Sequence, residues 1–208
     1  VSQRISTLGT IHIRVGEGLL LLGTAHMRCK EYHEALKVFK SATLIFRSMY
    51  GDMHLGLARA LNKLGLAASH LYATLTDSIA FEALHESFTI RLEKLGPNHT
   101  DTIDSLNNIA GLNLRMKNYN AACKAYHEVY FRRQLIFGKR HPSVAITAHY
   151  LGEVYMKLAQ LNCAKKYYTR AMDLYQRLEL RDKNQSIQRL LHDISALECA
   201  GSERKVTF

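Results

Sequence analysis

Apolar side chains return along this chain at the spacing of a helix that buries one face. Leu57, Ala60, Leu61, Leu64 and Ala68 form one such stripe, with gaps of three or four residues that match the helical period. Tyr32, Ala35, Leu36, Phe39, Ala42 and Leu44 form another. Polar turns such as Lys30-Glu31 and Lys117-Asn118 separate segments of this kind. The pattern predicts pairs of amphipathic helices joined by short connections.

The pairs recur with a fixed period. A Gly-x-x-His element appears at Gly9 and His12, Gly51 and His54, Gly96 and His99, and Gly138 and His141, in steps of 42, 45 and 42 residues. In the same register a large apolar residue precedes a small one: Leu22-Gly23, Leu64-Gly65, Ile109-Ala110 and Leu151-Gly152. A third ladder consists of Ala35, Ala80, Ala122 and Ala164. Coincident ladders at a period of this size indicate a tandem array of structural repeats. The small residues let two helix backbones approach closely. Each Gly suits the end of a helix, where the backbone often turns left-handed. Thr100, Asp101 and Ser143 are placed to cap or charge-match the helix that follows.

The fold class read from this pattern is all-α: a right-handed solenoid of four two-helix repeats closed by a C-terminal capping helix. The boundaries are 1–8 for the end of a preceding helix, 9–50, 51–95, 96–137 and 138–180 for the repeats, 181–200 for the cap, and 201–208 for a flexible tail. The ladder ends where Leu180 and Lys183 replace the expected Gly and His. Ile187, Leu190, Leu191, Ile194 and Leu197 then line one side of the capping segment, as the terminal unit of a stack requires. The extra three residues of the second repeat fall in Leu71-Tyr72-Ala73-Thr74-Leu75, where they lengthen one helix or the turn before it.

These residues resemble the tetratricopeptide repeat family. Ala35, Phe39 and Ala42, and again Ala164, Tyr168 and Ala171, match its second-helix positions, while Leu84 and Ser87, and Tyr126 and Val129, depart from them. The period, with the runs Leu-Gly-Pro-Asn-His at 95–99 and Leu-Asn-Asn-Ile-Ala at 106–110, is similar to the longer variant found in kinesin light chains. The resemblance covers residues 9–178.

Composition narrows the function. Of 208 residues, 47% are hydrophobic and 22% charged, which excludes a disordered or low-complexity chain. The longest apolar run, Leu19 to Leu22, is far too short to span a membrane. No secretory signal is visible. The cysteines at 29, 123, 163 and 199 have neither disulfide-framework nor zinc spacing, so reduced thiols and a cytoplasmic location are expected. The repeated histidines belong to successive units and are read as structural, not as metal ligands. Two glycosylation sequons, at Asn98 and Asn184, are read as chance matches. Nucleotide-binding, serine-hydrolase and metalloprotease motifs are absent. Neither an enzyme nor a cofactor is expected.

What remains is surface. In stacked helix pairs the first helices line a concave groove. Its positions are Glu17, Leu20, Thr24, Met27 and Arg28 in the first repeat, and Arg59, Asn62, Lys63, Ser69 and His70 in the second. The third contributes Asp104, Asn107, Asn108, Leu114 and Arg115; the fourth, His149, Glu153, Met156 and Lys157. Asparagine amides both donate to and accept from a peptide backbone, and neighbouring cations favour acidic side chains. In kinesin light chains, similarly placed Asn and basic residues hold acidic cargo peptides with an apolar anchor, and the resemblance implies that mode at Asn62 and Asn107. The carboxylate clamp of the co-chaperone variant is missing, because Leu20, Thr24, Asn62 and Leu66 occupy its positions. The expected function is a non-catalytic adaptor for a protein or peptide partner, acidic in character, with no small-molecule substrate. A scaffold subunit of a larger complex is the alternative. The net charge of +10 raises nucleic acid as a third partner, weakened by the lack of aromatics between the basic groove positions.

Overall fold

A computed structural model describes the backbone of residues 2–71, 74–178, 192, 195 and 196, with side chains from residue 14 onward except at 74 and 75. Apart from 192, 195 and 196, the expected capping helix and the tail lie outside the described residues. The described chain forms helices α1 (Ser2–Arg28), α2 (Tyr32–Tyr50), α3 (Leu55–Ser69), α4 (Thr74–Leu95), α5 (Thr100–Arg115), α6 (Tyr119–Phe137), α7 (Pro142–Lys157) and α8 (Leu161–Arg177). No strand occurs among the described residues. The architecture is the all-α helical-pair repeat that the sequence pattern predicts.

The chain forms two compact units, Val1–Leu112 and Asn113–Phe208. In the first, α1 packs on α2, α2 on α3, and α3 on α4. Its core gathers Leu20, Ala35, Phe39, Phe46, Leu57, Leu61 and Ile90, each less than a tenth exposed. In the second, α7 packs against both α6 and α8, around Val144, Ala148, Tyr168, Leu174 and Tyr175.

The small residues act against side chains more than against backbone. A Cβ added to Gly152 would lie 2.5 Å from the Tyr168 ring, and one added to Gly65 would lie 2.6 Å from Leu84 Cγ. The absent side chain on the first helix therefore makes the hole that the large second-helix residue fills. Leu84, which departs from the aromatic pattern, is fully buried in this role.

Gly51, Gly96 and Gly138 have φ of +77°, +81° and +80°, a region open to glycine and strained for other residues. The histidine three positions later begins the next helix. His54 and His141 are N-caps whose ring nitrogens accept from the backbone N–H of Gly56 and Ser143. His99 Nδ1 likewise accepts from Asp101 N–H at 3.1 Å. The cap is thus the imidazole itself, satisfying a helix-end donor, where the sequence pointed to Thr100, Asp101 and Ser143. Ser143 instead bonds the His141 ring at 2.7 Å.

The first Gly-x-x-His behaves differently. Helix α1 runs unbroken from Ser2 through Gly9 and His12, where the spacing predicts a turn. Thr10 and Ile11 offer no turn chemistry comparable to Pro97-Asn98, and a lone glycine costs a helix only about 1 kcal/mol. Leu44, assigned to a buried stripe, is 61% exposed. It lies two residues beyond Ala42, about 200° around the helix, and Phe46 continues the buried face instead. The insertion is absorbed as helix: α4 has 22 residues where α2 and α6 have 19.

Candidate functional site

In the first unit the polar positions of α1, α3 and α5 engage one another. Asn108 Nδ2 donates to Asn62 Oδ1 at 2.9 Å. This bond leaves the Asn62 amide hydrogens and the Asn108 carbonyl for other partners. The carbonyl oxygen of Asn107 is buried without a hydrogen-bond partner. Arg59, exposed on α3, reaches Glu17 of α1 at 3.4 Å. One repeat separates these two residues, so this register carries a cross-repeat ion pair. Lys63 is half-buried, with its ammonium 6.0 Å from the centre of the Phe39 ring. Burial lowers its pKa, and the nearby Arg59 charge lowers it further. Asp104 is exposed on α5.

Beside Arg59 and Glu17 lies a pocket of about 330 Å³ between the end of α2 and the start of α3. Phe46, Tyr50 and His54 supply aromatic walls, and Arg59, Arg91, Glu17 and Asp101 supply both signs of charge. The Tyr50 and His54 rings stack at 4.0 Å with planes 14° apart. Such a surface can pair with a backbone amide, a carboxylate and a flat or apolar side chain.

Leu20, assigned to the groove from its register, is 4% exposed and belongs to the core of this unit. Its apolar side chain gains by burial where the amide of Asn62, at the same register, stays at the surface. The first repeat therefore contributes Glu17 to this surface and not Leu20.

The second unit holds the remaining candidates. Leu114 and Arg115 are half-buried at the end of α5, and Lys157 is exposed in the last turn of α7. Met156 packs against the core around Tyr168. His149 stacks on Tyr150 at 6.1 Å and meets the edge of Tyr168 at 5.7 Å.

Two features escaped the sequence reading. Arg91 is 8% exposed, donating to the Asp101 carbonyl at 2.9 Å and Ser105 Oγ at 2.8 Å. Arg133, also 8% exposed, makes the equivalent contact with Thr147 Oγ1 at 2.8 Å. Burial lowers the Arg91 pKa, opposed by Asp101 and Asp104. These arginines tie a second helix to the first helix of the next repeat. The signal was present: both the arginines and the hydroxyl residues they meet recur 42 positions apart. In the corresponding place between α2 and α3, Phe46 and Ala60 are buried instead.

The other feature is a cluster around Tyr155. Its hydroxyl lies 2.7 Å from His127 Nε2, and its ring stacks on Tyr167 at 5.5 Å. Burial, then hydrogen bonding to Cys123, raises the Tyr155 pKa well above its ordinary value. Burial lowers that of His127. Among the described residues, no group of His, Cys, Asp or Glu side chains is arranged to hold a metal ion. No helix among them is long and apolar enough to cross a membrane.

Comparison with known proteins agrees with this construction. The tetratricopeptide repeat family pattern matches residues 101–177. Protein KINESIN LIGHT CHAIN-RELATED 2 of Arabidopsis thaliana is 29% identical over 139 residues, or 67% of this chain. The chain spans only 20% of that relative. In structure it is similar to a putative kinesin light chain of Podosopora anserina with nearly identical TPR-like repeats, at a TM-score of 0.76 and 17% identity. That match covers 93% of this chain and 89% of the other. It is also similar to a Rap protein complexed with Competence and Sporulation Factor, with a TM-score of 0.67 and 12% identity over 90% of this chain and 49% of that one. The recurring Gly-x-x-His turns, the glycine-to-aromatic packing and these likenesses converge on one repeat: residues 101–177 carry the tetratricopeptide repeat pattern, and over most of its length the chain is similar in fold to kinesin-light-chain-like repeats.

Proposed function

We propose that this chain is a non-catalytic adaptor that holds an acidic peptide segment of a partner protein on the first-helix surface of its first unit. The observation that carries this reading is the Asn108–Asn62 bond at 2.9 Å. It holds two amides side by side and leaves the Asn62 amide hydrogens and the Asn108 carbonyl to pair with something else. That is the pairing an extended peptide backbone offers in return. Asn107 lies next to them with an unpaired carbonyl. Arg59 and Lys63 supply positive charge, and the pocket beside Arg59 accepts an apolar or aromatic anchor. The complex between a Rap protein and Competence and Sporulation Factor supports ligand binding as a use of this fold. Kinesin-light-chain likeness supports a role in holding partners and a cytoplasmic setting. Leu114, Arg115, His149, Met156 and Lys157 are the candidate contacts of the second unit, taken by itself.

The test is binding of acidic and neutral peptides, each with one Leu, Tyr or Trp anchor, to the unmodified chain and to the Asn62→Ala, Asn107→Ala double variant. Selective binding of acidic peptides that the double variant loses supports the assignment; equal binding by both proteins removes it.

A second reading has its own observation. Val15 and Leu22 are 47% and 48% exposed on α1, yet Leu57 and Leu64, at the same register on α3, are buried. An exposed face whose counterparts are covered by a neighbouring helix suits assembly into a larger complex. Light scattering after size exclusion distinguishes the two: a monomer favours the adaptor, and concentration-dependent association favours the scaffold.

A further inference from the structure

A cleft of about 640 Å³ in the second unit is lined by α6 and α8, both second helices of their repeats. The asparagine surface lies on first helices, so the two are separate. Tyr130 forms one wall of the cleft, and Lys166, Thr169, Arg170, Asp173 and Arg177 follow one face of α8. We infer that this cleft is a further docking site, which takes a short acidic peptide segment bearing one aromatic or large apolar residue.

The chemistry of the lining sets the ligand class. Three cations face one acid. Asp173 holds Arg177 Nε at 2.6 Å and reaches Arg170 at 3.8 Å, so it orients both guanidinium groups while leaving an excess of positive charge. Lys166 adds a third cation one turn before Arg170. From Lys166 to Arg177 the helix rises about 16 Å. An extended segment of about five residues covers that span, enough to bring two or more carboxylates to the cations. Arginine and carboxylate make paired hydrogen bonds of matching geometry.

Apolar contact comes from the tyrosines. The Tyr130 and Tyr167 rings meet edge to face at 5.8 Å and 88°, a fixed aromatic wall that suits another flat or apolar side chain. Phe131 and Leu135, on the neighbouring outward face of α6, are 64% and 61% exposed. A peptide covers such residues. A nucleic acid strand gains little from exposed Phe131 and Leu135, so the apolar part of this surface favours a protein segment. The size falls within the range of sites that enclose a ligand.

The experiment follows fluorescence anisotropy of labelled Glu-Glu-Trp-Glu-Glu on the full chain. Its Gln-Gln-Trp-Gln-Gln and Glu-Glu-Ala-Glu-Glu counterparts and a single-stranded oligothymidylate serve as comparisons. Expected are preference for the acidic Trp peptide and at least about tenfold weaker binding by Lys166→Glu. The Asn62→Ala, Asn107→Ala variant tests the other surface and leaves this binding component intact. Lys166 is exposed, and a thermal melt checks that Lys166→Glu remains folded. Hydrogen exchange on the unmodified protein gives an independent readout, with added protection expected in α6 and α8. Unchanged affinity of Lys166→Glu, equal binding of the neutral peptide, no protection in these helices, or tighter Lys166-dependent binding of oligothymidylate would overturn the inference.

Discussion

Asn108 and Asn62 lie in successive repeats, 46 residues apart, and are joined by a hydrogen bond of 2.9 Å between their side-chain amides. The bond links α5 to α3 through side chains alone. Neither residue contributes to the apolar core, so removing one amide should affect ligand binding more than folding.

That separation can be measured. A net hydrogen bond between half-buried groups contributes about 1 kcal/mol. A double-mutant cycle of Asn62→Ala and Asn108→Ala in urea should give a coupling of about 0.5–1 kcal/mol. A coupling indistinguishable from zero means that the two amides are not paired in solution.

If the proposed surface binds an acidic ligand, Glu17, which reaches Arg59 at 3.4 Å, competes with that ligand. An exposed ion pair of this kind contributes at most about 1 kcal/mol to stability. Glu17→Gln should therefore leave the melting temperature nearly unchanged while raising affinity for acidic peptides by about two- to fivefold. Isothermal titration calorimetry at low salt reads the difference, and weaker binding would show that Glu17 assists the ligand.

Gly152→Ala tests the packing of α7 on α8. The new methyl would lie 2.5 Å from the Tyr168 ring, and that ring is buried among Ala164, Ala171 and Leu174. A rigid, enclosed ring cannot move aside cheaply. The expected loss is about 1–3 kcal/mol by denaturant unfolding, despite the better helix propensity of alanine. A stabilised variant would contradict the close approach.

The pH dependence of stability has a definite sign. Burial lowers the pKa of both His85 and His127 from the ordinary histidine value. Between the lowered native values and about 6.5 the unfolded chain binds more protons than the native one. Stability therefore falls as pH drops below about 6.5, and the fall ends beneath the native pKa values. Thermal melts across this range should show it, with a shallower slope for His127→Gln, which can still bond the Tyr155 hydroxyl. An identical slope would assign the effect to other groups.

Much of the fold was legible because a repeat states its rules several times. The Gly-x-x-His and Leu-Gly ladders marked helix ends and packing holes before any geometry was known. Their physical roles were less apparent. Nothing in the spacing said that His54 would cap with its own ring, and Gly9 looked like Gly51 although α1 passes straight through it. Arg91 and Arg133 were missed because a lone arginine in a helix normally reads as solvated surface. The recurrence of each arginine with a hydroxyl residue fourteen positions on was the available signal, and the bonds to Ser105 and Thr147 make the buried link explicit. At the candidate surface, register put Asn62 and Asn108 on the first-helix face. It could not show that they bond each other, that Lys63 lies over Phe39, or that Leu20 turns into the core. Register places a Cα; packing decides where the side chain goes.

The most direct test of the adaptor reading is an array of acidic and neutral anchored peptides probed with the unmodified chain and with Asn62→Ala, Asn107→Ala, at low and physiological salt. The account predicts selective capture of acidic peptides that weakens with salt and is lost in the double variant, while both proteins melt within a few degrees of each other. Capture that ignores peptide charge, or that the double variant retains in full, would contradict it.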